Sequence, residues 1–174
     1  MLKRWSILSA VVGLLLLTVA PAAAGPKGTD RPFKADLVGE VTFEPGSPVC
    51  ADLAPVETIT ESWGHATHMG NVWAEWSHCP QEVGFINGHA TFYAANGDQI
   101  DLYYEELAGE FFFPITTATG TGRFEGVSVS LFASFGAEPQ FLPGCEFDPD
   151  DPLACFDLVT PWPWWGTIEG TISY

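Results

Sequence analysis

Alternation of apolar and polar residues is the feature that most constrains the fold of this chain. Between residues 34 and 44, positions such as Leu37, Val41 and Phe43 are apolar, while charged residues and threonine lie between them. A two-residue period places the two sets of side chains on opposite faces of a strand, so it predicts a strand with one buried face. No segment after residue 24 shows a sustained apolar stripe with the period of a helix. The chain is therefore predicted to be all-β.

Other segments repeat this pattern and together predict about seven or eight strands. The clearest are 57–70, 71–79, 86–94, 127–135 and 167–174. Between 86–94 and the strand that returns from Ile100, Asn96-Gly97-Asp98 supplies a tight hairpin turn.

Strands of this number and length form either an antiparallel eight-stranded barrel or a two-sheet β-sandwich. The alternation itself leaves both architectures open. Glycines at the inward-facing positions 39, 88 and 170 favour the barrel, because a tightly curved sheet needs small residues at its corners.

The N-terminus has the pattern of a secretion signal. Lys3 and Arg4 precede an apolar run over 7–19, and Ala22-Ala23-Ala24 is a small-residue cleavage site. We therefore predict a signal peptide over 1–24, a flexible segment over 25–33 and a single barrel domain over 34–174. The apolar run is shorter than the roughly 20 residues of a spanning helix, so stable membrane insertion is not expected.

The charge of the chain excludes one class of partner. Two of its six basic residues precede position 25, which leaves four basic against 22 acidic residues and a formal net charge of −18. Such a surface repels phosphate backbones and anionic lipids, so no nucleic-acid binding is predicted. An acidic surface is compatible with a soluble secreted protein, extracellular or in the cell envelope, with calcium, or with cationic partners, and solubility alone is the simplest explanation.

Four cysteines follow the signal, where an oxidising compartment favours disulfides. Three pairings are open to Cys50, Cys79, Cys145 and Cys155. We favour Cys50 with Cys79, which ties a long loop to the end of a strand, and Cys145 with Cys155, which closes a short loop. Zinc is disfavoured because no C-x-x-C spacing is present.

Three stretches carry a resemblance to a known family. These are Gly120-Thr121-Gly122-Arg123-Phe124-Glu125-Gly126, the segment 64–70 and the turn 95–98. With them the chain resembles bacterial secreted proteins of the allene oxide cyclase barrel-like group, which are similar in fold to dirigent proteins and calycins. The resemblance implies an eight-stranded antiparallel barrel and carries over no catalytic residue. The acidic, proline-rich and tryptophan-rich stretch from Cys145 to Trp165 departs from the family pattern.

Tryptophans are the main candidate ligand-binding residues. Exposed indoles form platforms for sugar rings, and indoles that line a barrel bind small apolar molecules; the same rings can also simply fill a core. The candidates are Trp63, Trp76, Trp162, Trp164 and Trp165.

Two further groups of residues suggest metal chemistry. Asp148, Asp150 and Asp151 offer the hard oxygen ligands that calcium prefers, although a solvated acidic loop explains them equally. Among the histidines 65, 68, 78 and 89, His65 and His68 are three apart on a predicted strand and so point to opposite faces, which favours structural roles over a metal site. Calcium is the only cofactor considered.

No sequence motif specifies a reaction. The nucleophile elbow, the phosphate-binding loop and the H-E-x-x-H motif are all absent from the sequence. The leading expectation is therefore a secreted, disulfide-stabilised binding module for a small hydrophobic or aromatic ligand or a surface glycan. The alternatives are an isomerase or cyclase acting on a hydrophobic substrate, by fold analogy, and a structural envelope protein without a ligand.

Overall fold

The fold is an antiparallel β-sheet curled into a nearly closed barrel. The computed structural model describes residues 28–81, 84–107, 112–146 and 154–174. Its strands are β1 Arg31–Pro45, β2 Val56–Ala66, β3 Gly70–Pro80, β4 Gly84–Ala94, β5 Gln99–Leu107, β6 Phe112–Ile115, β7 Thr117–Gly120, β8 Ser128–Ala137 and β9 Trp162–Ser173. They form one sheet in the order β6-β8-β9-β1-β2-β3-β4-β5-β7. The barrel prediction is thus confirmed, and the two-sheet alternative is not observed.

Closure of the barrel depends on the short strands β6 and β7, which lie at the two ends of the sheet order. They follow one another in the chain and are separated only by Thr116. β6 pairs with β8, and β7 pairs with β5. One stretch of chain therefore joins the two margins of the sheet, and the barrel has eight strands if these two halves are taken as one.

Two strand boundaries correct the sequence analysis. β1 starts at Arg31, inside the segment predicted to be flexible, because Phe33 is buried in the core and Arg31 pairs with Ile172 of β9. β9 starts at Trp162 rather than at Thr167. Its proline, Pro163, points outward between the buried Trp162 and Trp164, so the alternation runs through it.

Inward-facing side chains fill the barrel with an apolar core. Members of this core include Leu37, Ala74, Phe92, Leu102 and Ile168, each at most 3 % exposed. They come from five different strands, because every strand of the barrel contributes alternate residues to its interior. The barrel is therefore filled along much of its length by its own side chains.

Small residues allow neighbouring strands to approach at tight points of the barrel wall. A Cβ at Gly39 would lie 2.0 Å from the carbonyl oxygen of Glu61 on β2. A Cβ at Gly88 would lie 2.3 Å from the ring of Tyr104, which packs against β4 at this glycine. Both observations agree with the role that the sequence assigned to these two residues.

The two ends of the barrel differ. At one end, which we call the disulfide end, β1 and β3 finish and β2 and β9 begin. Both predicted disulfides are present there: the Cα atoms are 5.5 Å apart in Cys50–Cys79 and 5.5 Å apart in Cys145–Cys155. At the opposite end a 3₁₀ turn, Gly122–Phe124, places the fully buried Phe124 against the core and 4.9 Å from the ring of Tyr174.

Candidate functional site

An apolar cavity lies at the disulfide end of the barrel, and we call it the mouth cavity. Its volume is about 560 Å³. The wall includes Phe43, Leu53, Val56, Pro80, Phe156 and Trp162. Cavities of roughly 300–1,000 Å³ with mainly apolar walls are typical of small-molecule sites. Its size and apolar wall make the mouth cavity a candidate small-molecule site in the described part of the chain.

The loop 46–55 forms one wall of the mouth cavity. Cys50 ties this loop to the end of β3 through its disulfide with Cys79. The buried Ser47 hydroxyl donates a hydrogen bond to the buried Glu57 carboxylate on β2, which anchors the start of the same loop. Leu53 is thereby held at the rim, where its side chain is 41 % exposed.

The segment before β9 forms the other wall. The Asp157 carboxylate accepts hydrogen bonds from the backbone N–H groups of Val159 and Thr160 and from the Thr160 hydroxyl. These bonds, chiefly that from the Thr160 hydroxyl, lower the pKa of Asp157. The Trp162 indole N–H donates to the Asp157 carbonyl oxygen at 2.7 Å, which fixes the ring at the cavity wall. Trp162 also packs edge-on against Phe43, with ring centroids 4.5 Å apart.

Aromatic rings fill the barrel interior near the same end. Trp76 and Trp164 approach with ring centroids 5.5 Å apart, and both also lie close to Phe135. The Trp76 indole N–H donates to the Ser62 hydroxyl at 2.9 Å, so the polar atom of this buried indole is satisfied. These two tryptophans are part of the core rather than of an open surface.

A hydrogen-bonded histidine and tyrosine lie within this aromatic interior. The Nδ1 atom of His78 is 3.3 Å from the Tyr104 hydroxyl, and the imidazole stacks on Phe85 with centroids 4.4 Å apart. Burial lowers the pKa of His78 to about 4 and raises the pKa of Tyr104 above its usual range. At neutral pH the pair is therefore an uncharged imidazole beside an uncharged phenol.

The five predicted tryptophans do not form one site. Trp162 lines the mouth cavity, and Trp76 and Trp164 lie in the interior. Trp63 and Trp165 are on the outer wall, 51 % and 52 % exposed. Alternation within each strand explains the separation, because Trp164 and Trp165 are neighbours in sequence and face opposite sides of the wall.

The histidines are also dispersed. His65 is exposed on the outer face of β2, and His68 lies in the following turn, with its Nε2 atom 3.0 Å from the Pro32 carbonyl oxygen. His89 faces outward, and its Nε2 atom is 3.4 Å from the Asp101 carboxylate. Within the described ranges, no group of three or more His, Cys, Asp or Glu residues is arranged to hold a metal ion. The predicted calcium ligands Asp148, Asp150 and Asp151 lie outside the described residues.

The predicted site residues did not include Tyr104 or the cavity-lining residues Phe43, Val56 and Phe156. Phe43 had a sequence signal, since it continues the inward series of β1. His78 had a similar signal, because it follows Val72, Ala74 and Trp76 at two-residue steps. Phe156 had none, because it lies between strands and its position depends on the Cys145–Cys155 loop.

Comparison with known proteins identifies no relative: no protein-family model, curated protein or solved structure is significantly similar to this chain. Its two disulfides indicate folding in an oxidising, extracellular-type environment. Among the described residues, none belongs to a helix long and apolar enough to cross a membrane.

Proposed function

We propose that this protein is a secreted binding module that holds a small hydrophobic or aromatic molecule in the mouth cavity. The apolar cavity of about 560 Å³ at the disulfide end is the observation that carries the proposal. Its size suits a molecule of one or a few rings or a short acyl chain. The signal-like N-terminus and the two disulfides support action outside the cytoplasm.

The geometry of the wall supports an apolar ligand with at least one flat face. Phe43, Phe156 and Trp162 present rings to one space, and aromatic rings gain from stacked and edge-on contacts with a ligand ring. Among the described residues that line the cavity none is Lys or Arg, so they offer no partner to an anionic head group. An uncharged ligand therefore fits better than a phosphate or carboxylate.

The test uses N-phenyl-1-naphthylamine, a neutral fluorophore whose emission increases in apolar surroundings. We expect saturable binding by the wild-type protein and competition by uncharged apolar molecules. Leu53→Arg places a charge at the cavity rim and should weaken binding by about tenfold or more, because a guanidinium is costly to desolvate beside an apolar ligand.

Val49→Arg is the matched control. Val49 lies in the same loop as Leu53, is 53 % exposed and does not line the cavity. It makes the same change in net charge, so it should leave the affinity for the fluorophore unchanged. Absence of saturable binding by the wild type, or equal weakening by both variants, would contradict a ligand site in the mouth.

A second candidate function is an isomerase or cyclase acting on a hydrophobic substrate. The specific support is the uncharged His78–Tyr104 pair, with Nδ1 and hydroxyl 3.3 Å apart in an aromatic interior, which can donate and accept hydrogen bonds. The resemblance to the allene oxide cyclase barrel-like group suggests an unsaturated fatty-acid epoxide, as its uncharged methyl ester, as the first substrate to assay. Turnover that heating abolishes and Tyr104→Phe reduces would support this function. Binding of the epoxide without turnover would leave only the binding module.

A further inference from the structure

A row of outward-facing side chains, four of its five members aromatic, crosses five neighbouring strands on the outer wall of the barrel. Backbone pairing places Trp165 of β9 opposite Val38 of β1, and Val38 opposite Trp63 of β2. The same level continues from Trp63 to Trp73 of β3 and from Trp73 to Tyr93 of β4. We call these five residues the aromatic track. At about 4.8 Å per strand, the track is roughly 20 Å long.

The rings of the track are accessible from solvent. Trp165, Trp63 and Trp73 are 52 %, 51 % and 39 % exposed. A Cβ at Gly136 would lie 2.7 Å from the Trp165 ring, so the indole occupies space that any larger residue on β8 would take. Trp165 therefore leans over the backbone of β8 and leaves its outer face free. Trp73 and Tyr93 stack on each other with centroids 4.8 Å apart.

A second row, of three carboxylates, lies beside the aromatic track, one step nearer to the mouth. Glu40 of β1 is opposite Glu61 of β2, and Glu61 is opposite Glu75 of β3. All three side chains are exposed. Like charges directly opposite each other destabilise a sheet. Within the described ranges, no Lys, Arg or His forms a salt bridge with any of the three.

We propose that the aromatic track and the carboxylate row together bind a linear glycan whose sugars carry free amino groups. Pyranose rings stack their C–H faces on indoles, and the neighbouring carboxylates would pair with ammonium groups on the same sugars. The backbones of Trp165 and Trp63 are two strand spacings apart, roughly 10 Å, and the Trp165 ring leans further away over β8, so the two indoles can contact different sugars of one chain. This site is separate from the mouth cavity and does not depend on a ligand there.

The charge of the surface selects this occupant. A second copy of the chain would bring two carboxylate rows and two net charges of −16 together, and an anionic polysaccharide would be repelled in the same way. A basic peptide satisfies the charge but usually docks in a groove or at a free strand edge. The wall here is convex, and β9, β1, β2, β3 and β4 each pair on both sides.

The experiment is calorimetric titration of the full exported chain with the hexamer of glucosamine, in mildly acidic buffer that keeps its amino groups protonated. We expect saturable binding that Trp63→Ala and Trp165→Ala each weaken about tenfold, equivalent to about 1.4 kcal/mol for one stacked contact. Phe132→Ala is the matched control, because Phe132 is an exposed aromatic residue, 58 % exposed, on β8 outside the track. It should leave the affinity unchanged.

Two further ligands separate the parts of the proposal. Glu61→Gln should weaken binding of the glucosamine hexamer and leave the weaker binding of the N-acetylglucosamine hexamer unaltered, because the acetylated sugars carry no charge. Hexalysine should bind less tightly than the glucosamine hexamer, without dependence on Trp63. The glycan assignment would be overturned if the wild type did not bind the glucosamine hexamer, or if the tryptophan variants bound it as tightly as the wild type. It would also be overturned if hexalysine binding depended on Trp63. Circular dichroism of every variant verifies folding.

Discussion

At position 78 the alternation of β3 turns a histidine towards the interior of the barrel. The imidazole lies between rings, stacked on Phe85 and parallel to Phe135, and its nearest polar partner is the Tyr104 hydroxyl. Burial makes the protonated form costly, which is why the pKa falls to about 4. A residue of this kind makes the stability of the fold depend on pH.

The first residue-scale prediction concerns acid stability. In the unfolded chain the pKa of His78 returns to about 6.5, so the unfolded state binds a proton as the pH falls below that value. The folded state binds this proton only when the pH approaches 4. The stability supported by the neutral imidazole is therefore complete above pH 6.5 and is lost as the pH falls towards 4. We expect a loss of roughly 1–3 kcal/mol over this window.

Urea denaturation of the wild type and of His78→Gln between pH 7 and pH 4 measures this effect. Carboxylates titrate in the same range, so the informative quantity is the difference between the two proteins. This difference should shrink as the pH falls for His78→Gln, because the variant has no imidazole to protonate. A constant difference for His78→Gln would show that the imidazole does not titrate abnormally.

At the scale of the strands, the strongest predictions came from uninterrupted alternation. The predicted strand 71–79 corresponds to β3, and the predicted 86–94 lies within β4. β6 and β7 were missed because each has only four residues and Pro114 lies in β6. The start of β9 was missed because proline among tryptophans resembles a loop. A two-residue period does not show where a strand changes its pairing partner. The sequence pattern therefore could not predict that the chain around Thr116 joins the two margins of the sheet and closes the barrel.

Close approach between β1 and β2 gives a prediction for Gly39. Gly39→Ala would place a methyl group 2.0 Å from the Glu61 carbonyl oxygen. The backbones of β1 and β2 would have to move apart to accept it. We expect a loss of about 1–3 kcal/mol in the free energy of unfolding, as for overpacked cores. Denaturant midpoints measure the loss, and Val38→Ala on the outer face of the same strand should cost less. Equal midpoints for the wild type and Gly39→Ala would contradict the tight contact.

At the scale of the whole molecule, the two disulfides have separate roles. Cys50–Cys79 closes a loop with a sequence separation of 29, and Cys145–Cys155 closes one of 10. Loop entropy predicts stabilisation of about 3.6 kcal/mol for the longer loop and about 2.7 kcal/mol for the shorter one. Cys50 and Cys79 are also fully buried, which adds to the cost of removing the first pair.

Replacing each pair by serine tests these roles. The Cys50→Ser/Cys79→Ser protein should lose more stability in thermal unfolding than the Cys145→Ser/Cys155→Ser protein. The second protein should keep the barrel, as judged by far-ultraviolet circular dichroism, and bind the fluorophore more weakly, because the loop that presents Phe156 to the mouth cavity is released. A larger loss of stability in the Cys145→Ser/Cys155→Ser protein than in the Cys50→Ser/Cys79→Ser protein would contradict these roles.

The mouth cavity illustrates what sequence reasoning leaves out at this scale. Trp162 was a predicted site residue, and both cysteine pairs were predicted correctly. The cavity itself exists because two loops, remote in sequence, are tied over the same end of the barrel. Pairing and loop position are properties of the folded chain, and no local pattern encodes the space between the loops.

The pairing of Arg31 with Ile172 puts the start of the first strand beside the end of the last, at the end opposite the mouth cavity. A tag, surface linker or fusion partner attached after Tyr174, or before Gly28, therefore leaves from the far side of the barrel. If the protein were immobilised in this way on a sensor chip or bead, its disulfide-tied loops would face the solution. The outer wall with the aromatic track would stay accessible too.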